Sequence, residues 1–127
     1  MKMNMYQWVE DLKAAPVKKA MPVLSFPSIQ LLGITVEKLI SDSDIQAQGM
    51  KAVADRTPNA GGSVSLMDLS VEAECFGSTI RVSDDEVPTV IGSVISADLD
   101  EDERMEQAEA MEVPEVGAGR TQIYIDA

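Results

Sequence analysis

Between Pro22 and Asp68 the chain spells out a strand, a helical stretch and a second strand, and this order constrains the fold more than any other feature. The first strand is expected near residues 22–26, in the short apolar run Met21-Pro22-Val23-Leu24-Ser25-Phe26-Pro27. Thr35 can cap a helix whose face carries Val36, Leu39 and Ile40, and Ser43-Asp44 restarts helical periodicity through about Arg56. On that second stretch Ile45, Met50, Val53 and Ala54 form the apolar side, and Gln46, Gln48, Lys51 and Asp55 the wet one. The turn cluster Thr57-Pro58-Asn59-Ala60-Gly61-Gly62 precedes Ser63-Val64-Ser65-Leu66-Met67, which reads as a buried strand with Asp68 at its carboxyl end. A helical crossover joins parallel strands, so the expected class is α/β with parallel strands and helices.

Only 4% of the residues are aromatic although 45% are hydrophobic, so the core must be built from Val, Ile, Leu, Met and Ala. A length of 127 residues fits one domain. With 22 acidic against 10 basic residues the formal charge is -12, which argues against nucleic acid and against an anionic membrane surface as partners. No apolar run reaches the ~20 residues of a membrane span, and the first residues lack the apolar block of a signal peptide, so the cytoplasm is the expected compartment. The single cysteine, Cys75, allows no intrachain disulfide. The absence of histidine removes His-based triads and His-bearing zinc sites from these residues.

The first 20 residues form an amino-terminal lead-in, in which Met5, Trp8 and Leu12 fit a short amphipathic helix ending near Pro16. After Asp68, residues Leu69 to Phe76 can make two helical turns that Gly77 would stop. Thr79-Ile80-Arg81-Val82 alternates like an edge strand, 83–86 is a turn, and Val87 to Ile91 is extended. Asp98 to Met111 favours a helix, with Leu99, Met105, Ala108 and Met111 as its apolar positions. From Asp84 to Glu115 there are twelve carboxylates and one basic residue, Arg104, the mark of a solvated face. Gly117 to Ala127 reads as a loop followed by the first turns of an apolar element.

Asp68 is the first candidate for chemistry, because ligand crevices of parallel α/β sheets lie at the carboxyl ends of strands. Its structural alternative is to cap the helix that begins at Leu69 or Ser70. Glu72, Glu74 and Cys75 place a thiol near carboxylates, yet without a second cluster they define no metal site, and a lone Cys is more often a small buried hydrophobe. Gly117-Ala118-Gly119-Arg120 could hold an anion, but it lacks the third glycine and the Lys-Ser/Thr of phosphate-binding loops and reads better as a turn into a helix. The eight methionines are scattered core filler.

Taken together, Met21 to Pro27, the helix containing Asp44 and Ala47, Ser65-Leu-Met-Asp-Leu-Ser-Val-Glu-Ala-Glu-Cys-Phe-Gly77, Asp85-Glu-Val-Pro88 and Gly119-Arg120 resemble the uroporphyrinogen decarboxylase superfamily, and within it the corrinoid-dependent methyltransferase branch. The pattern from Asp68 to Gly77 carries most of the similarity, which runs from Met21 to Ala127. The resemblance implies that residues 21–127 are the amino-terminal portion of a (β/α)8 barrel, incomplete in this chain, with an active site at the carboxyl ends of its strands. It implies a methyl transfer from a methylated corrinoid protein to a thiol or tetrahydrofolate, with Asp68 as the one pocket residue that carries over as catalytic. The corrinoid would ride on a partner protein, and zinc, where the full-length parent uses it, would take His and Cys ligands from later in the barrel. No cofactor is expected within these residues. The alternatives are a decarboxylase-like fragment and a non-catalytic acidic interaction module. The loop Ser25 to Gly33 contains no arginine to bind porphyrinogen carboxylates, which disfavours the decarboxylase. Part of a barrel also leaves strand edges unpaired, which invites self-association.

Overall fold

The computed structural model describes residues 3–20, 23–57 and 65–127. In chain order the elements are α1 (Met5–Ala14), α2 (Ser28–Leu32), α3 (Val36–Ile40), α4 (Ser43–Arg56), α5 (Ser70–Cys75), β1 (Thr79–Arg81), β2 (Thr89–Gly92), α6 (Glu101–Ala110) and α7 (Thr121–Asp126). The described part is thus mostly helical, with one two-stranded antiparallel hairpin, and no element in it is a membrane-spanning helix.

The expected parallel strands do not appear among the described residues. Met21 and Pro22 lie outside the described residues, and Val23 to Ser25 join no ladder. The carbonyls of Ser25 and Phe26 instead accept from the amides of Ser28 and Ile29, both at 3.0 Å, which commits them to the turn that starts α2. The second strand, too, lies partly outside the described residues, and Ser65 to Met67 have no strand partner among those described. No parallel pair and no barrel are present in the described residues. The segments read separately at 79–82 and 87–91 pair with each other, Ile80 opposite Val90 and Arg81 opposite Thr89.

Caps set most helix starts. Asn4 accepts from the amides of Tyr6 and Gln7 to begin α1, which ends before Pro16 as its sequence predicts. Thr35 Oγ1 accepts from Lys38 N at 3.2 Å, as expected. α4 is capped one residue earlier than Ser43-Asp44, by Asp42, whose Oδ1 accepts from Ile45 N at 3.0 Å. α6 begins with a complete capping box between Asp100 and Glu103. Gly77 stops α5 with φ +97°, while the amides of Gly77 and Ser78 return to the carbonyls of Glu74 and Ala73.

Val36, Leu39, Ile40 and Leu66 form the buried cluster, and Phe26, Ile29, Ile34, Ile45, Met50 and Tyr124 pack against it. α4 presents Gln46, Gly49 and Val53 to the interior, so the expected face is rotated and Gln46 moves from the wet side to full burial. The reason lies at Gly49, where an added Cβ would sit 3.0 Å from Ser28 Oγ and 3.1 Å from Leu39 Cδ1. The smallest side chain marks the line of closest approach, and the neighbours of that line are buried with it. The apolar positions expected on α6 have no core to face: the helix buries nothing, and Met105 is 55% exposed.

Candidate functional site: a buried carboxylate clasp

Residues 65–70 alternate between exposed and buried, so a two-residue period carries Asp68 inward on the same side as Leu66 and Ser70. Their backbone accounts for the local geometry. Asp68 Oδ1 accepts from Ser70 N at 2.9 Å and from Ser70 Oγ at 2.6 Å, a local turn just ahead of α5, whose cap position is Leu69 and not, as the sequence offered, Asp68.

The second half of the site comes from far along the chain. Gly117 and Gly119 adopt left-handed φ values of +89° and +55°, turning the chain so that Arg120 enters at the start of α7. Arg120 Nη1 donates to Asp68 Oδ2 at 3.0 Å, Nη2 donates to Ser70 Oγ at 2.9 Å, and Nε donates to Glu74 Oε2. One helical turn on, Tyr124 OH donates to Asp68 Oδ2 at 2.8 Å. The Asp68 side chain has no exposed surface, and Arg120 keeps 16%.

Burial alone would raise the Asp68 pKa, but the bonds from Ser70, Tyr124 and Arg120 outweigh it and hold the carboxyl below its ordinary value. Burial works against the Arg120 charge as well, and its contacts with Glu74 and Asp68 reverse that and raise its pKa. Tyr124 is pushed well above the ordinary phenol value, first by burial and then by the adjacent carboxylate, so it remains a neutral donor. A carboxylate offers about four lone-pair sites, and four donors occupy those of Asp68. The arrangement therefore fixes geometry and charge; it leaves Asp68 a weak proton acceptor.

Beside the clasp lies an open, mainly apolar cleft of about 600 Å³, walled by Leu66, Met67, Val71, Tyr124 and Ile125. Asp68 also borders it and, with its side chain enclosed, meets the cleft through its backbone.

Of the residues singled out in the sequence, Asp68, Glu74 and Arg120 come together. Glu74 serves as an ion-pair partner, and the glycine turn delivers Arg120 to a carboxylate of the chain itself. Cys75 Sγ donates to Ala118 O at 3.1 Å, which ties α5 to the turn before α7. Glu72, Glu74 and Cys75 do not assemble a donor set: among the described residues no three His, Cys, Asp or Glu side chains could hold a metal ion. With no histidine in the chain, these residues do not fit a zinc centre. Ser70 and Tyr124 were missed in the sequence, although Tyr124 stands four residues after Arg120, the spacing that puts two side chains on one helical face.

Comparison with protein-family models, with curated proteins and with solved structures gives no match for this chain.

Proposed function

We propose that these residues form the amino-terminal part of a cytoplasmic, corrinoid-dependent methyltransferase of the uroporphyrinogen decarboxylase superfamily. The observation that carries this reading is convergence. Asp68 and Glu74 belong to one piece of the sequence pattern and Arg120 to another, 52 positions from Asp68, yet Arg120 bonds both the buried Asp68 and the exposed Glu74 in a single network. Exposed apolar side chains such as Leu69, Val87, Val90 and Ile91 support the view that a barrel sheet would continue over this surface.

In this reading Asp68 is a positioning residue. Its charge holds Arg120 and Tyr124, and Tyr124 in turn walls the apolar cleft, from which water is displaced when substrate enters. The methylated corrinoid belongs to a partner protein and supplies the transferable methyl group; the acceptor is a thiol or tetrahydrofolate. Zinc finds no set of three ligands among the described residues.

The test is the product of the reading frame extended beyond Ala127, incubated with methylcobalamin and a thiol while the loss of the cobalt-bound methyl is followed optically. Demethylation is expected, with a drop of roughly 10–100-fold in Asp68→Asn from misplaced cleft walls. Decarboxylation of uroporphyrinogen without demethylation would move the protein to the other branch. A second reading, a non-catalytic interaction module, is favoured by the saturation of Asp68 with internal donors; it predicts neither activity and retention of a partner by the present chain.

A further inference from the structure

α1 and α6 each run ten residues and bury none of them. On α1, Met5, Trp8, Val9 and Leu12 stand at positions i, i+3, i+4 and i+7, a continuous apolar stripe. Met5 is 56% exposed, and an open groove along the helix is lined by Met5, Tyr6, Val9, Glu10 and Lys13. The similarity to a barrel begins only at Met21, so completing a barrel does not account for this stripe. On α6, Met105 and Ala108 share a face with Glu101 and Glu109, which stand four residues to either side of Met105. The charges of the two regions are opposite. Residues 1–20 hold four of the ten basic residues and two acids, a net +2, whereas residues 98–115 hold nine acids and one base, a net -8. That base, Arg104, is drawn back to the carbonyls of Leu99 at 2.7 Å and Ala97 at 3.0 Å, so it serves the start of α6.

We propose that α1 of one copy docks on α6 of a second copy of this chain, reciprocally, in a two-fold dimer. Under two-fold symmetry a contact between two different patches is made twice, which doubles the gain from one short helix pair. The basic residues cluster at the carboxyl end of α1: Lys13 in its last turn, then Lys18, whose Nζ donates to the carbonyls of Lys13 and Ala15, then Lys19. Glu101, Asp102 and Glu103 fill the first turn of α6. An antiparallel alignment sets these two ends side by side and opposes the two helix dipoles. It also brings Trp8 and Val9 opposite Met105 and Ala108, where a thioether against an aromatic ring is a favourable contact. A lipid surface fits less well, because the wet face of α1 carries Gln7, Glu10 and Asp11 where a membrane helix carries lysines. The dimer stands whether or not the protein transfers methyl groups.

Trp8 is the one tryptophan in the sequence, so its emission reports on α1 alone. The full chain is diluted roughly hundredfold while its mass is followed by sedimentation equilibrium. A dimer is expected at the concentrated end, with Trp8 emission moving to longer wavelength as it dissociates. Glu101→Lys with Glu109→Lys should weaken the dimer roughly tenfold, Lys13→Glu with Lys19→Glu should do the same, and all four together should restore it. The first pair brings the formal charge from -12 to -8, so relief of general self-repulsion would strengthen association, and a loss reports the contact itself. Neither helix feeds the core, so the variants should keep their helical circular dichroism. A wild-type monomer at every concentration overturns the proposal. So does a dimer indifferent to both reversals, which would belong to another surface such as the strand edges. Phosphatidylserine vesicles that shift Trp8 emission in a chain that stays monomeric would give α1 to a membrane instead. A short-wavelength emission that dilution leaves unchanged would give it to the chain's own surface.

Discussion

The stretch from α2 to α5 and the stretch from β1 to α6 are both rich in local folding signals, yet they differ in burial. α3 has a single capping bond at its start and buries Val36, Leu39 and Ile40. α6 has a complete capping box, three acidic residues in its first turn, and buries nothing. Caps and charge therefore decide where a helix begins, while its stability comes from the apolar face it finds a partner for. The hairpin makes the same point, since neither β1 nor β2 has a buried residue.

The sharpest challenge to this contrast is at the clasp. Arg120→Met leaves the fully enclosed Asp68 without its charge partner, and a loss of about 3–5 kcal/mol is expected in urea unfolding. A change under 1 kcal/mol would show that the carboxyl escapes to water or takes up a proton. Leu39→Ala, at the centre of the buried cluster, should cost roughly 2–5 kcal/mol in the same measurement.

The pH dependence separates the clasp from the apolar core. The folded pKa of Asp68 is lowered, so its contribution is fully present above the unfolded value near ~4 and is lost as pH falls through the folded value. Tyr124 has the opposite sign: its folded pKa is raised, so its contribution holds below ~10 and fades as the unfolded phenol ionises. Stability curves should thus fall at both ends. Asp68→Asn should flatten the acid limb and Tyr124→Phe the alkaline limb; limbs unchanged in both variants would remove the clasp as their source.

The smallest effect belongs to the outer region. Asp100→Ala is expected to fray α6 by about 1 kcal/mol locally, seen as faster amide exchange there, with little change in global unfolding. A global loss as large as that of Leu39→Ala would mean that α6 is integral to the folding unit after all.

What was legible in the sequence was local. The caps at Thr35 and near Ser43, the stop at Gly77 and the turn at Gly117 to Gly119 follow from residue types that act within a few positions. The inward position of Asp68 could also be read, from its place after an apolar run. Two things were not legible. Helical spacing alone does not tell which side of α4 meets its neighbours, and the close approach at Gly49 turned that side towards Gln46. The parallel sheet was inferred from strand order, yet a strand exists only with a ladder partner, and the described residues supply one only between β1 and β2. Nor does any local rule announce that Arg120 and Tyr124 will meet Asp68, because nothing in the neighbourhood of either segment refers to the other.

The same separation gives the clasp a place in time. A ribosome adds about 5–20 residues per second, so Arg120 is joined roughly 3–10 seconds after Asp68, 52 positions earlier. During that interval the cluster around Leu39 already has its α3 and α4 components, while Asp68 has only Ser70 to neutralise the cost of leaving water. The nascent chain therefore has reason to keep the 65–70 segment hydrated until the basic residue emerges, and the clasp closes only after Arg120 has been added.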